Sequence, residues 1–113
     1  MRTKMENFSA DLILQIRTRI VSGDYRFTIH ALERQIERSI AREEIEEVIL
    51  NGEIIENYPE DKYGPSCLIL GLTKKKRPIH VQCSLDPLWI ITCYSPADRP
   101  LEWSGDFKKR RQI

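Results

Sequence analysis

The sequence carries almost no surplus of charge: 18 lysines and arginines stand against 17 aspartates and glutamates, for a formal net charge of +1. Bulk electrostatics therefore give no reason to expect a nucleic-acid binder or an acidic-membrane binder, and any basic site has to be local. A disulfide framework is missing too. Cys67, Cys83 and Cys93 are odd in number, widely spaced and without a C-x-x-C pair, which argues against paired bridges and against a zinc ribbon. Reduced thiols and no metal are expected. No apolar run approaches the length of a membrane span, and Met1-Arg-Thr-Lys-Met-Glu6 lacks the hydrophobic stretch of a secretory signal, so the expected location is the cytoplasm, away from membranes. With no repeat and no low-complexity linker, the 113 residues read as a single domain, 1–113, with its core over about 9–96 and a basic tail over 97–113.

What is present begins with local charge. Phe107-Lys-Lys-Arg-Arg-Gln-Ile113 and the Lys74-Lys-Lys-Arg77 turn are basic runs that can meet phosphate or simply be solvated. Ahead of them lie three helical patterns. Phe8 to Gly23 carries Ile13, Ile16 and Ile20 at helical spacing, with Ser9 as a candidate N-cap and Gly23 where a terminating glycine belongs. Thr28 can cap a second helix to about Ser39, with Ile29, Leu32 and Ile36 as its expected buried stripe. The third, from about Ala41 to Asn51, turns Ile45, Val48 and Ile49 inward and sets Glu43 and Glu44 in its dipole-favoured first turn, although Ala41 has no side chain to cap it.

From Glu53 onward the pattern changes to short β-rich runs: 53–58, 67–72, 78–84 and 89–94. Three helices followed by four strands predict an α+β fold with helices packed on a four-stranded antiparallel sheet. Alternation puts Ile79, Val81 and Cys83 on one face and His80 and Gln82 on the other, and Trp89, Ile91 and Cys93 opposite Thr92 and Tyr94. The register that keeps the apolar faces together sets His80 across from Tyr94 and Gln82 across from Thr92, with all three cysteines and Trp89 in the packing layer. The edge strand over 53–58 can pair with a partner or with a second copy as a homo-oligomer, and Glu53, Glu56 and Glu60 read equally as protection of that edge.

His30-Ala-Leu-Glu-Arg34-Gln-Ile-Glu-Arg38 aligns a histidine and two arginines at i, i+4 and i+8 along one helical face. Arginine presents a planar fork of donors to phosphate and histidine exchanges protons near neutral pH, a combination suited to phosphodiester cleavage. Glu33 and Glu37 interleave with the arginines, so a salt-laced solvent face accounts for the same pattern. His80 can serve as the second proton carrier in RNA cleavage or as a strand histidine bonded to Tyr94 or to backbone. Tyr94 and Trp103 can stack on a base or anchor the core, and Arg110 and Arg111 can stabilise phosphorane charge if the tail folds back over the sheet.

Taken in order, Arg26-Phe-Thr-Ile-His30-Ala-Leu-Glu-Arg34-Gln-Ile-Glu-Arg38, Glu43-Glu-Ile-Glu-Glu-Val-Ile49, Gly52-Glu-Ile-Ile-Glu-Asn-Tyr-Pro59, Pro65-Ser-Cys-Leu-Ile-Leu-Gly71, Arg77-Pro-Ile-His80-Val and Ile91-Thr-Cys-Tyr-Ser-Pro96 resemble the bacterial and archaeal DUF4258 domains of unknown function over roughly residues 10–103. Those domains resemble the RelE-like and barnase-like small RNases, some of them encoded beside a zinc-finger antitoxin. The resemblance implies a RelE-like fold and metal-independent, cofactor-free RNA cleavage with His30, Arg34, His80 and Tyr94 as catalytic residues. Arg38 and Trp103 join them as RNA contacts; Arg110 and Arg111, beyond the resemblance, are expected to hold RNA from the basic tail, and the partners would be RNA and a zinc-finger or helix-turn-helix antitoxin. A non-catalytic protein-interaction or RNA-binding domain of the same fold is the alternative.

Overall fold

The computed structural model describes residues 4–112, and side chains from residue 10 onward; Met1–Thr3, the side chain of Ser9 and Ile113 lie outside the described residues. Helix α1 spans Lys4–Ser22, so the chain is already helical at Ser9 and no cap is placed there. Ile13, Ile16 and Ile20 form its buried stripe. It is tied to the rest by Arg17, whose guanidinium donates to the carbonyls of Ile49 (3.0 Å) and Gly52 (2.7 Å), closing the C-terminus of the neighbouring α3 (Arg42–Asn51). At the other end of α3, the Ala41 N–H donates to the Glu44 carboxylate at 2.9 Å, the half of a capping box that an alanine N-cap still permits.

The fold is α+β, with three helices and a five-stranded mixed sheet in the order β1 (Arg26–Phe27), β5 (Trp89–Tyr94), β4 (Pro78–Ser84), β3 (Ser66–Leu72), β2 (Glu53–Tyr58). β2 to β5 form the expected antiparallel meander. The four-stranded expectation is corrected by β1, which pairs in parallel with β5 through Arg26 and Trp89. Two residues are too few to show alternation, and only the tertiary position of the chain makes them a strand. Cys67, Ile69, Ile79, Val81, Cys83, Ile90 and Cys93 meet α1 and α3 in the main core. Val48 of α3 lies so close to β3 that a Cβ on Gly71 would stand 2.7 Å from the Val48 carbonyl oxygen, which explains a glycine in a central strand.

Helix α2 (Ile29–Arg38) differs most from expectation. Thr28 is its N-cap, accepting from the Ala31 N–H at 3.0 Å and donating its own hydroxyl to the Ile91 carbonyl at 2.9 Å. The predicted buried stripe faces solvent instead: Ile29 is 76 % exposed and Ile36 82 %, while Ala31 is fully buried. The helix lies along the free edge of β5 beyond β1, and its inner face must satisfy that strand's carbonyls. Arg38 accordingly donates to the Cys93 carbonyl at 2.8 Å. A polar strand edge therefore selects the arginine face of the helix, and the more apolar face is left outside. The C-terminal end of α2 is closed by Arg77 of the basic turn, which donates to the carbonyls of Arg38 (2.8 Å) and Ser39 (2.9 Å).

Candidate functional site

His80 and Tyr94 are register partners on β4 and β5, as alternation predicts. They sit on the outer face of the sheet with Leu68 and Trp103. The His80 ring is fully buried and both of its nitrogens are engaged, Nε2 2.9 Å from the Phe107 carbonyl oxygen and Nδ1 3.0 Å from the Tyr94 hydroxyl. A carbonyl can only accept, so Nε2 carries the proton and Nδ1 accepts from Tyr94. Burial lowers the imidazole pKa to about 4, despite the raising effect of the Phe107 carbonyl, and burial raises that of the Tyr94 hydroxyl, which stays a donor. The Trp103 ring packs edge-on against the imidazole at 4.4 Å between centroids. In this arrangement His80 holds the tail to the sheet and offers no lone pair or proton to an external substrate.

The basic tail is held on the same face. Arg110 stacks over Trp103 at 4.6 Å and forks onto the Glu56 carboxylate at 3.0 and 3.1 Å; Lys108 pairs with Glu53 at 2.8 Å. Burial alone would raise the Glu56 pKa, but hydrogen bonds from Arg110 and Tyr58 outweigh it and hold the carboxylate ionised further into acid. Arg111 donates to the Trp103 carbonyl at 2.6 Å. The glutamates on edge strand β2 thus serve as counterions for the tail. Trp103, only 1 % exposed, has no face to offer a base, and Arg110 and Arg111 are committed within the chain. That departs from the RNA-contacting roles expected of them.

His30 lies elsewhere. It is exposed at the start of α2 and lines an open cleft of about 490 Å³ with Phe27, Thr28, Ile29, Tyr63 and Trp89. Trp89 belongs to the beginning of β5 and Tyr94 to its end, so the two histidines are separated by roughly the length of that strand, about 17 Å. The expected cluster of His30, Arg34, His80 and Tyr94 is therefore not assembled. Arg34 is tied to Glu37 at 2.6 Å and to Glu33 at 3.7 Å, with its Nε buried and unpartnered among the described residues. Arg38 bridges the row to the sheet, its guanidinium 6.0 Å from the Tyr94 ring centroid, and Arg99 approaches the same ring at 4.3 Å.

Sequence reasoning passed over Tyr63, Trp89 and Arg99. Trp89 was expected in the packing layer, but a register irregularity after Gln82 sets Cys83 opposite Ile90, places Ile90 and Cys93 in the core and leaves Trp89 half-exposed. Tyr63 stands in an irregular loop with no periodicity to read. Among the described residues no three His, Cys, Asp or Glu side chains gather as a metal site, and no helix is long and apolar enough to cross a membrane.

Residues 27–95 match a family described only as a domain of unknown function, DUF4258. The chain belongs to the DUF4258 family. The DUF4258 match is narrower than the resemblance over 10–103: it takes in His30, Arg34, Arg38, His80 and Tyr94, and leaves out Trp103, Arg110, Arg111 and all of α1. No curated protein and no solved structure matches this DUF4258 chain.

Proposed function

We propose that this DUF4258 protein is a toxin-like endoribonuclease with a RelE-like site, cleaving RNA without a metal, and that His30 is its proton-exchanging group. The observation that carries the reading is that His30 is exposed and makes no hydrogen bond within the described chain, in a cleft whose Tyr63 and Trp89 rings offer stacking surfaces to bases. His30 takes the proton of a ribose 2′-hydroxyl, the oxygen attacks the adjacent phosphorus, and the 5′-oxygen leaves with a proton from solvent or from the imidazolium so formed. Arg34, one turn along the helix, exchanges its exposed glutamate partners for the phosphate; such surface pairs are worth at most about 1 kcal/mol. Arg38 extends the row. His80 and Tyr94 act as a brace beneath it and not as acid and base.

Labelled RNA incubated with the purified protein in EDTA tests this. Cleavage is expected for the wild type, with a drop of roughly 100-fold or more in His30→Ala and a smaller drop in Arg34→Ala. Intact RNA, or a His30→Ala variant as active as wild type, overturns the reading.

A second reading, a protein-interaction domain, is favoured by one observation, the exposed Ile29, Leu32 and Ile36 stripe on α2. The two readings are compatible if the stripe receives a cognate antitoxin of zinc-finger or helix-turn-helix type, encoded by an adjoining reading frame. Cosedimentation with the product of that frame, lost on Ile36→Glu, is the expected result.

A further inference from the structure

We propose that Cys67 and Cys83 are a cross-strand dithiol that a small hydroperoxide, entering the cavity over them, oxidises to a reversible disulfide. The two residues are direct register partners in the β3–β4 ladder, and both are free. Opposed residues in an antiparallel pair have Cα atoms about 4.5–5.5 Å apart, inside the range of about 4.4–6.8 Å that a disulfide spans. No strand has to change register for the bond to form; a small closing of the two β-carbons suffices.

Both cysteines also line the same partly open cavity of about 240 Å³, walled by Leu12 and Ile16 of α1 and by Tyr63 and Pro65 of the loop before β3. Such a space has room for a hydrogen peroxide molecule beside the two sulfurs. The third cysteine is a built-in comparison. Cys93 is equally buried, but its strand partner is Val81 and it does not line the cavity. Contact with Cys67 and burial raise the Cys83 thiol well above its ordinary range, as expected of an S–H directed at the neighbouring sulfur. The register pairing serves either order of attack, here with Cys67 attacking and Cys83 resolving.

The chemistry balances with hydrogen peroxide as oxidant. The Cys67 thiolate attacks one peroxide oxygen, the O–O bond breaks, the departing oxygen leaves as water with a proton from solvent, and a sulfenic acid remains on Cys67. The Cys83 sulfur attacks that sulfur, the S–O bond breaks, and the hydroxyl leaves as a second water with the Cys83 proton. Two thiols lose two electrons and two protons in all.

The full-length native protein is treated with hydrogen peroxide, quenched, unfolded, alkylated with N-ethylmaleimide and mapped by peptide mass spectrometry. The expected product has an intramolecular Cys67–Cys83 link, an alkylated Cys93, and full alkylation at all three thiols after dithiothreitol. Cys83→Ser should stall as a Cys67 sulfenic acid that dimedone captures. Should that variant fail to fold, Cys93→Ser serves, and must still form the link. Oxidation of Cys93 to the same extent as the other two, a link only between two chains, or three thiols still fully alkylated while the unfolded protein oxidises would each overturn the proposal.

Discussion

The Tyr94 hydroxyl donates to Nδ1 of His80 across the β4–β5 ladder at 3.0 Å, while the opposite nitrogen of the same ring donates to the Phe107 carbonyl at 2.9 Å. One buried imidazole thus joins two strands to a tail 27 residues further along the chain. Removing either partner leaves a polar atom without water and without a bond. Tyr94→Phe is expected to destabilise the protein by about 1–3 kcal/mol in urea unfolding, with little change in fold by circular dichroism.

Acid should act on the same group. The His80 pKa lies at about 4 in the folded chain, against about 6.5 for an exposed histidine. The unfolded chain therefore binds a proton at a pH where the folded one does not. His80 contributes stability that is present above pH 6.5 and lost as the pH falls toward 4, roughly 3 kcal/mol over the window. Thermal or urea unfolding followed from pH 7 to 4 should show this slope. The slope should flatten in His80→Phe whether or not that variant is less stable at pH 7.

The tail is expected to be part of the folded unit. Trp103→Ala empties a fully buried site against His80 and should cost about 3–5 kcal/mol by chemical denaturation. Glu56→Gln removes one counterion of Arg110 from the surface, and the expected loss is smaller, about 1 kcal/mol or less, and reduced further by salt.

Helix α2 supplies a test of which face is inside. Ile36→Glu replaces a residue that is 82 % exposed and should change stability by less than about 0.5 kcal/mol. Ala31→Leu forces three extra carbons into the fully buried contact with β5 and should cost about 1–3 kcal/mol. Reversal of that order in urea titrations would mean that the apolar stripe is the packed one.

Spacing within the chain was sufficient for much of this. Ile13, Ile16 and Ile20 mark the inner stripe of α1, Thr28 caps α2, and alternation along the paired stretches 80–82 and 92–94 brings His80 opposite Tyr94, because each of these depends on local periodicity and on one short connection. The same periodicity points Ile29, Leu32 and Ile36 at the core, and all three are exposed. Helical periodicity says which residues share a face, but not what that face will meet.

His30, Arg34 and Arg38 do share a row, as their spacing requires, and so much was determined before any fold was known. Tertiary structure decided the rest. The carbonyls along the β5 edge drew the arginine side of α2 inward, the Phe107 carbonyl and Trp103 sealed His80 from solvent, and the irregularity after Gln82 moved Trp89 out of the core and beside His30. Each outcome turns on a hydrogen bond or a contact between residues far apart in the chain, and on the cost of leaving a buried polar group unpaired, which no local pattern records.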